Sequence, residues 1–511
     1  MPHEEIDARK YKKTKIIATI GPASQEKIDL LLKSGVNGIR LNFSHNTHKW
    51  HCDIAEKVRK EAKKLDRSVA IIQDLPGPKI RLGKLPTGGI EIKAGQTLRF
   101  KHGENLSSEM LPIQHDFSKQ VKKGERLFLR DGQIQTEIIS INSGVISSKA
   151  LNSGKIMSDH GINLPDTIFK DGVLSEKDKK DLTVTNKLDA DYVAVSFINT
   201  PQDIYDVRNQ LSKHKANAKI IAKIETKAAV ENLEEIIKAT DAVMIARGDL
   251  AIEVGPEQVP IIGREIILLG RKYRKPVIMA TQMMESMMTS TTPSRAEAND
   301  VATAVSLGVD SLMLSGESAI GQFPVETVQM MKKIILSAEQ YFINTSVAVQ
   351  LTQQDEDIIS VNENEGPGLV DKLDQKTRLV FSRQPKLSPN ISSEAAQTSI
   401  SFAAITLADQ LKAKVILAET ATGSTALSIA SLRPNCPIII ASPDPKVCNQ
   451  CSIIWGGKTF LVSKSKNRKA AIINKLKDRK SISAGDWVVE AYGQNRDVAG
   501  GTDTIRLIEV V

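Results

Sequence analysis

The chain has 511 residues, 41% of them hydrophobic, 25% charged and 4% aromatic, and at about 150 residues per domain this predicts three or four domains. So few aromatics exclude binding built on ring stacking, and a net charge of +9 spread over a large surface, with no RNA or DNA module, argues against nucleic-acid binding. Four cysteines, Cys52, Cys436, Cys448 and Cys451, are too few for a disulfide scaffold, the start MPHEEIDARKYKKTK lacks a secretory apolar segment, and no run nears about 18 uncharged apolar residues, so the expectation is a cytoplasmic enzyme that contacts no membrane.

In chain order, short β-branched runs alternate with longer helical stretches, the pattern of parallel α/β architecture. The runs are Lys15–Gly21, Asn37–Ser44, Ser68–Leu75, Tyr192–Ile198, Lys219–Glu225, Ala242–Gly248, Pro276–Met283 and Ser311–Glu317. Most are near-continuously apolar at first and turn polar at the end, as expected of buried parallel strands whose C-terminal edge carries the chemistry. Helical spacing separates them, as in Ala228–Ile237. Eight such units predict a (β/α)8 TIM barrel. The third crossover is too long for one helix. It is rich in Gly and Lys, with short strands at Glu91–Ile92 and Arg126–Leu129, and predicts a small β-barrel lid domain inserted after strand 3. Residues 345–392 are polar and periodless and read as a linker or insertion. A C-terminal α/β domain follows. The expected boundaries are 1–12 for an N-terminal extension, 13–81 with 167–344 for the barrel, 82–166 for the lid and 393–511 for the last domain.

The predicted strand ends carry a coherent set of polar groups. Strand 2 offers Arg40, Asn42 and Ser44 on one face, followed by His45, and strand 3 ends in Asp74. Strand 5 gives Lys223 and Glu225, strand 6 Arg247, Gly248 and Asp249, and strand 7 Thr281. Glu225 and Asp249 on neighbouring ends suit an oxygen-loving cation such as Mg2+. Lys223 and Arg40 suit a phosphoryl group, and amides near Gly248, where a short helix begins, suit a carboxylate. An acidic substrate bearing phosphate and carboxylate satisfies all of them. Singly, each charge reads more readily as a solvated loop end or an internal ion pair; several on consecutive strand ends do not.

The segments TKIIATIGPAS, GIRLNFSH, QDLPGPKIRLG, GINLP, AKIE, MIARGDLAIEVG, ATQMMESM, PSRAEANDVATAV and MLSGESAIGQFPVETV resemble the pyruvate kinase family, in the family's order and over nearly all of Thr14 to Met331. The resemblance implies transfer of a phosphoryl group from phosphoenolpyruvate to ADP, followed by enolate protonation. It implies that Arg40 contacts the substrate phosphate, Lys223 stabilises the moving phosphoryl group, and Glu225 and Asp249 hold Mg2+ (or Mn2+). Thr281 then positions the carboxylate with Gly248 and Asp249 and joins the protonation relay. Asn42, His45 and Arg81 touch the nucleotide, and Asp131 belongs to the closing lid. A homotetramer is implied too, and a catalytically inactive regulatory relative is the alternative.

Family members that bind K+ use residues matching Asn42, Ser44, Asp74 and the carbonyl of Leu75, and carry Glu where this chain has Lys79. An ammonium supplies a fixed monovalent charge, so the expectation is activity without added K+. His160 stands where the family often has Lys, and Ser318 where it has Thr. In the last domain Thr420, Thr422, Gly423, Ser424 and Thr425 join a strand to a helix and suit a phosphate, which the resemblance assigns to an allosteric effector; plain helix capping competes with that reading. Asp497–Thr504 is expected to close over the same pocket. Cys448 and Cys451 lack the second pair of a zinc site, and His48 and His51 read as solvated.

Overall fold

The computed structural model describes residues 11–103, 109–130, 132–167, 172–352, 393–463, 468–493 and 501–511. The chain divides into two compact units, Lys15–Met330, and Met331–Val511 together with the residues up to Thr14. Asp131, most of the 345–392 segment and residues 497–500 lie outside the described residues. Among the described residues no helix is long and apolar enough to cross a membrane.

In the first unit eight parallel strands close into a barrel. They are β1 (Lys15–Thr19), β2 (Gly38–Asn42), β3 (Ala70–Leu75), β12 (Tyr192–Val195), β13 (Lys219–Ile224), β14 (Ala242–Ala246), β15 (Val277–Ala280) and β16 (Ser311–Leu314). Their order around the barrel is β1-β16-β15-β14-β13-β12-β3-β2. Near-continuous apolar sequence follows from this placement, since interior side chains and surrounding helices cover both faces of each strand. The expected strands overrun the observed ones at their C-terminal ends. There the polar residues leave the ladder and become the loops of the barrel mouth. Asn232 breaks the expected Ala228–Ile237 helix into Lys227–Glu231 and Leu233–Ala239, because its side chain donates to the carbonyls of Asn199 and Ala228 and competes with the helical pattern.

The long third crossover holds β4 (Ile90–Ile92), β5 (Thr97–His102), β6 (Leu111–Ile113), β7 (Arg126–Leu129), β8 (Ile134–Asn142), β9 (Val145–Ala150), β10 (Gly154–Ile156) and β11 (Ile162–Asn163). They form a six-stranded sheet, β11-β7-β8-β9-β5-β6, and a β10-β4 pair. In β8 Ile134, Thr136 and Ile138 point inward while Gln135 and Glu137 are exposed, the period-two pattern of a one-sided sheet. Leu98, Phe100, Phe117, Leu127 and Ile146 complete this separate core.

The second unit carries β17 (Val415–Glu419), β18 (Ile438–Ser442), β19 (Gly457–Leu461), β20 (Trp487–Tyr492) and β21 (Thr504–Glu509). The order is β19-β18-β17-β20-β21, parallel except for β21. Along β17, Ile416 and Ala418 pack into one core and Val415 and Leu417 into the other, so both faces are buried. The helix before the expected linker runs from Pro324 to Thr352, past position 345.

Candidate active site

Parallel pairing brings the strand-end residues to one rim. Asn42 stands in register with Asp74, and Asp74 with Ala194, while Lys223 pairs with Met244. Arg40 Nε lies 2.5 Å from Asp74 Oδ2, and Lys223 Nζ lies 3.5 Å from Asp74 Oδ1 and 3.4 Å from Glu225 Oε2. Asp74 and Glu225 are each 1% exposed. At Asp74 burial works to raise the pKa, but the charges of Arg40 and Lys223 outweigh it and hold the carboxyl below its ordinary range. At Lys223 burial works to lower the pKa, and Asp74 and Glu225 outweigh it. The ammonium is therefore fixed as a cation.

Glu225 differs. Burial holds its carboxyl above the ordinary range, with Lys223 opposing and the Asp249 charge adding to the rise. Its Oε1 accepts the Phe197 N–H at 2.8 Å, while Oε2 has no hydrogen-bond partner among the described residues. A buried carboxylate oxygen without a hydrogen bond, under the field of a second carboxylate, fits a divalent cation. Among the described residues no cluster of three or more His, Cys, Asp or Glu side chains forms. That suits Mg2+, which takes one or two carboxylates and completes its shell with substrate oxygens and water.

Two turns hold the rim in uncommon backbone conformations. Phe197 (φ 57°) follows β12 and aims its N–H at Glu225. Beside it Ser196 accepts from Lys223 Nζ at 2.6 Å and donates to the Leu75 carbonyl at 2.8 Å. After β15, Thr281 (φ 67°) and Gln282 (φ 52°) are both left-handed, at about 1–3 kcal/mol of strain each. Thr281 Oγ1 accepts the Gly248 N–H at 3.0 Å. Gly248 and Asp249 lie in the first turn of the helix Arg247–Val254, so the expected short helix is present and its N-terminus faces the mouth. Arg247 donates to the carbonyls of Ala280, Thr281 and Gln282 and pairs with Asp300. The lid reaches this helix as well: a Cβ on Gly132 would stand 3.4 Å from Ile252 Cγ1.

The structure therefore brings together Arg40, Asp74, Lys223, Glu225, Gly248, Asp249 and Thr281. Asn42 Oδ1 accepts the Ser44 N–H at 3.1 Å, and Ser44 and His45 are exposed. Lys79 is half-buried, its N–H donating to the Gly77 carbonyl. Arg81 lies at the base of the lid and donates to the Asp159 carbonyl at 2.8 Å.

His51 is a correction. It is 1% exposed, stacked on Phe43 at 4.0 Å, with Nε2 2.9 Å from the His45 carbonyl. It lies on the same helix face as the buried Ile54, Ala55 and Val58, a spacing that the sequence offered. His48 lies 2.7 Å from Asp181, so it is also engaged. Sequence reasoning missed Ser196, Phe197 and the contacts of Arg247.

In the second unit Gly423 (φ 93°) precedes the helix Ser424–Ser431. Thr420 Oγ1 accepts the Gly423 N–H at 2.8 Å, and Thr425 bonds Thr502 at 2.7 Å. Both threonines are buried, whereas Thr422 is exposed and Ser424 half-exposed. Cys448 and Cys451 are buried and form no disulfide.

Residues 11–328 match the family model described as pyruvate kinase, barrel domain, and residues 398–508 the model described as pyruvate kinase, alpha/beta domain. Curated pyruvate kinases of Staphylococcus aureus, strains MRSA252 and USA300, are each 33% identical over 505 residues, 97% of this chain and 80% of theirs. A crystal structure of a pyruvate kinase from Cryptosporidium parvum superposes with a TM-score of 0.84 at 29% identity, covering 99% of this chain and 98% of that one.

Proposed function

The chain belongs to the pyruvate kinase family, and on that premise we propose the residues that carry its activity, the cation it dispenses with and the class of its effector. The activity is transfer of the phosphoryl group of phosphoenolpyruvate to ADP, giving ATP and pyruvate, and the family is generally Mg2+-dependent.

Arg40 and Lys223 present two fixed cations to the phosphate. They are anchored on Asp74, so no reorganisation is needed when negative charge moves between donor and acceptor oxygens. Glu225 and Asp249 would hold Mg2+, which supplies charge neutralisation on the phosphoryl oxygens. The amides that open the helix Arg247–Val254 receive the substrate carboxylate, and Thr281, hydrogen-bonded to Gly248, orients that carboxylate and takes part in delivering a proton to the enolate carbon. Asn42, His45 and Arg81 serve the nucleotide. The lid, 82–166, excludes water while the phosphoryl group is exposed. The observation that carries this reading is the convergence of Arg40 and Lys223 on one buried aspartate beside a carboxylate oxygen, Glu225 Oε2, that has no hydrogen bond.

Activity without K+ is the second part of the proposal. Asn42, Ser44, Asp74 and the Leu75 carbonyl correspond to the monovalent-cation site. Asp74 already faces two cations, and Lys79 in the following turn adds a third positive charge in place of the family's glutamate. The third part is an activating phosphorylated metabolite at the 420–425 loop, with Thr422 and Ser424 as the outward hydroxyls. A homotetramer is the proposed assembly, checked by light scattering on the eluting protein.

The test measures pyruvate release from phosphoenolpyruvate, ADP and Mg2+, with and without K+ at constant ionic strength. Full activity without K+ is expected. Activity only with K+ overturns the part given to Lys79 and leaves the reaction standing. Sugar phosphates and nucleoside monophosphates are then added singly, and stimulation that disappears in Thr422→Val supports the effector loop.

A further inference from the structure

We propose that Arg247 is a positioning residue whose guanidinium holds the Thr281–Gln282 backbone in its left-handed conformation and so sets Thr281 at the mouth; the proposal rests on the role given above to Thr281. Two consecutive non-glycine residues with positive φ are uncommon, and a β-branched threonine is among the least suited to that region. Such a turn persists only when its surroundings over-determine it.

Arg247 supplies that determination. Its Nε donates to the Ala280 carbonyl at 3.3 Å, and its Nη2 to the carbonyls of Thr281 at 2.5 Å and Gln282 at 3.1 Å. Nη2 also lies 2.9 Å from Met283 Sδ. The other arm, Nη1, meets Asp300 Oδ2 at 2.6 Å. A planar fork with five donors can grip three successive carbonyls and a carboxylate, which a lysine cannot. Asp300 sits on the helix Arg295–Leu307, so the fork is fixed from outside the turn. Downstream, Glu317 accepts the Met284 N–H at 3.2 Å and the Ser315 N–H at 2.8 Å, which ends the turn on the next strand connection.

Arg247 is also the first residue of the helix whose second residue, Gly248, donates to Thr281 Oγ1. One side chain therefore ties the strained turn to the helix start, and the distance between threonine hydroxyl and helix amides is fixed before substrate arrives. The guanidinium donors are engaged by the Ala280, Thr281 and Gln282 carbonyls and by Asp300, so the proposed action runs through Thr281.

The experiment uses the full chain and the variants Arg247→Met, Gln282→Gly, the two combined, and Thr281→Ala. Two quantities are read: steady-state pyruvate formation, and deuterium uptake into the pyruvate methyl group in D2O with Mg2+ and ATP, which reports the enolate protonation step in reverse. Arg247→Met is expected to lower kcat and the exchange about 100-fold, the cost of a misplaced group, with KM for phosphoenolpyruvate changed less than about threefold. Gln282→Gly alone stays within about twofold of the parent, since glycine adopts positive φ freely. Combined with Arg247→Met it restores about tenfold, a partial rescue, because one of the two left-handed residues no longer needs to be held. Unchanged activity in Arg247→Met, or a loss that glycine does not relieve, overturns the proposal. If Arg247→Met does not fold, Asp300→Asn, which frees one arm of the fork, is expected to show a smaller loss with the same glycine rescue, and absence of rescue there overturns the proposal equally. Thr281→Ala separates the two readings: if it keeps full exchange and turnover, the role of Thr281 fails whatever Arg247 does.

Discussion

At the barrel mouth Arg40, Asp74, Lys223 and Glu225 are chained by ion pairs of 2.5, 3.5 and 3.4 Å, whereas the loop after β17 is held by threonine hydroxyls bonding a backbone amide and one another. Both regions are proposed to receive a phosphate. The mouth presents it with charges already stripped of water and balanced against each other. The loop presents neutral groups that keep only part of their capacity for a ligand. Buried charges depend on their partners, because each uncompensated ion costs several kcal/mol, while losing one neutral hydrogen bond costs about 1 kcal/mol. Damage at the mouth should therefore spread and be large, and damage in the loop should stay local and small.

The sharpest attempt to break this contrast is Lys223→Met. It removes the cation that faces both Asp74 and Glu225, and kcat should fall about 1,000-fold or more, the scale of lost transition-state charge stabilisation. Binding of phosphoenolpyruvate with Mg2+, read by calorimetry, should survive because Arg40 remains. Comparable turnover in the variant would remove Lys223 from the mechanism and, with it, the distinction between the two regions.

The next largest effect belongs to Asp74→Asn, which leaves Arg40 and Lys223 facing one another without the carboxylate between them. Breaking a buried pair from one side costs about 3–5 kcal/mol, and a loss of that size in denaturant unfolding is expected beside lowered turnover. A change under about 1 kcal/mol would mean that the mouth is as tolerant as the loop.

These residues were also the most legible in the sequence. The barrel strands showed as apolar runs because both faces are covered, and period-two spacing put Arg40 with Asn42 and Lys223 with Glu225 on common faces. What escaped notice depends on backbone conformation and tertiary approach. Ser196 and Phe197 follow an ordinary strand, and nothing in their identity announces a left-handed residue aiming its N–H at Glu225. Arg247 read as one more charge, since the three carbonyls it grips become adjacent only through the Thr281–Gln282 turn. The Asn232 break depends on a carbonyl of Asn199, distant in sequence. His51 was visible in principle, since helical spacing puts it on the apolar face with Ile54, Ala55 and Val58.

His51 extends the contrast to the helix His48–Lys64. Burial pushes its pKa down from 6.5 to about 4. With Nε2–H donating to the His45 carbonyl, Nδ1 has no hydrogen-bond partner among the described residues, so protonation would bury an unpaired N–H. The fold thus favours the neutral ring. The unfolded chain takes up the proton near pH 6.5 and the folded chain near pH 4, so this stability is complete above about 6.5 and is lost as pH falls toward 4. Melting temperatures followed across that window should fall more steeply for the parent than for His51→Gln, which cannot titrate. Parallel slopes would place the imidazole outside the pH response.

The smallest effect tests the loop. Thr420→Ala deletes the hydroxyl that accepts the Gly423 N–H at 2.8 Å, while the neighbouring Thr425–Thr502 bond and the Gln397 contact to Thr502 at 3.1 Å remain. One lost neutral bond with its neighbours intact predicts about 1 kcal/mol in unfolding. Turnover measured without effector should change less than about twofold, because no charge is uncovered. Gly423 at φ 93° keeps its conformation without help from Thr420, being the residue least strained there, so the loop retains its course. A turnover loss comparable with that of Asp74→Asn would show that the loop is coupled to the mouth even without ligand. Neutral groups at one proposed phosphate site would then be as consequential as buried charges at the other.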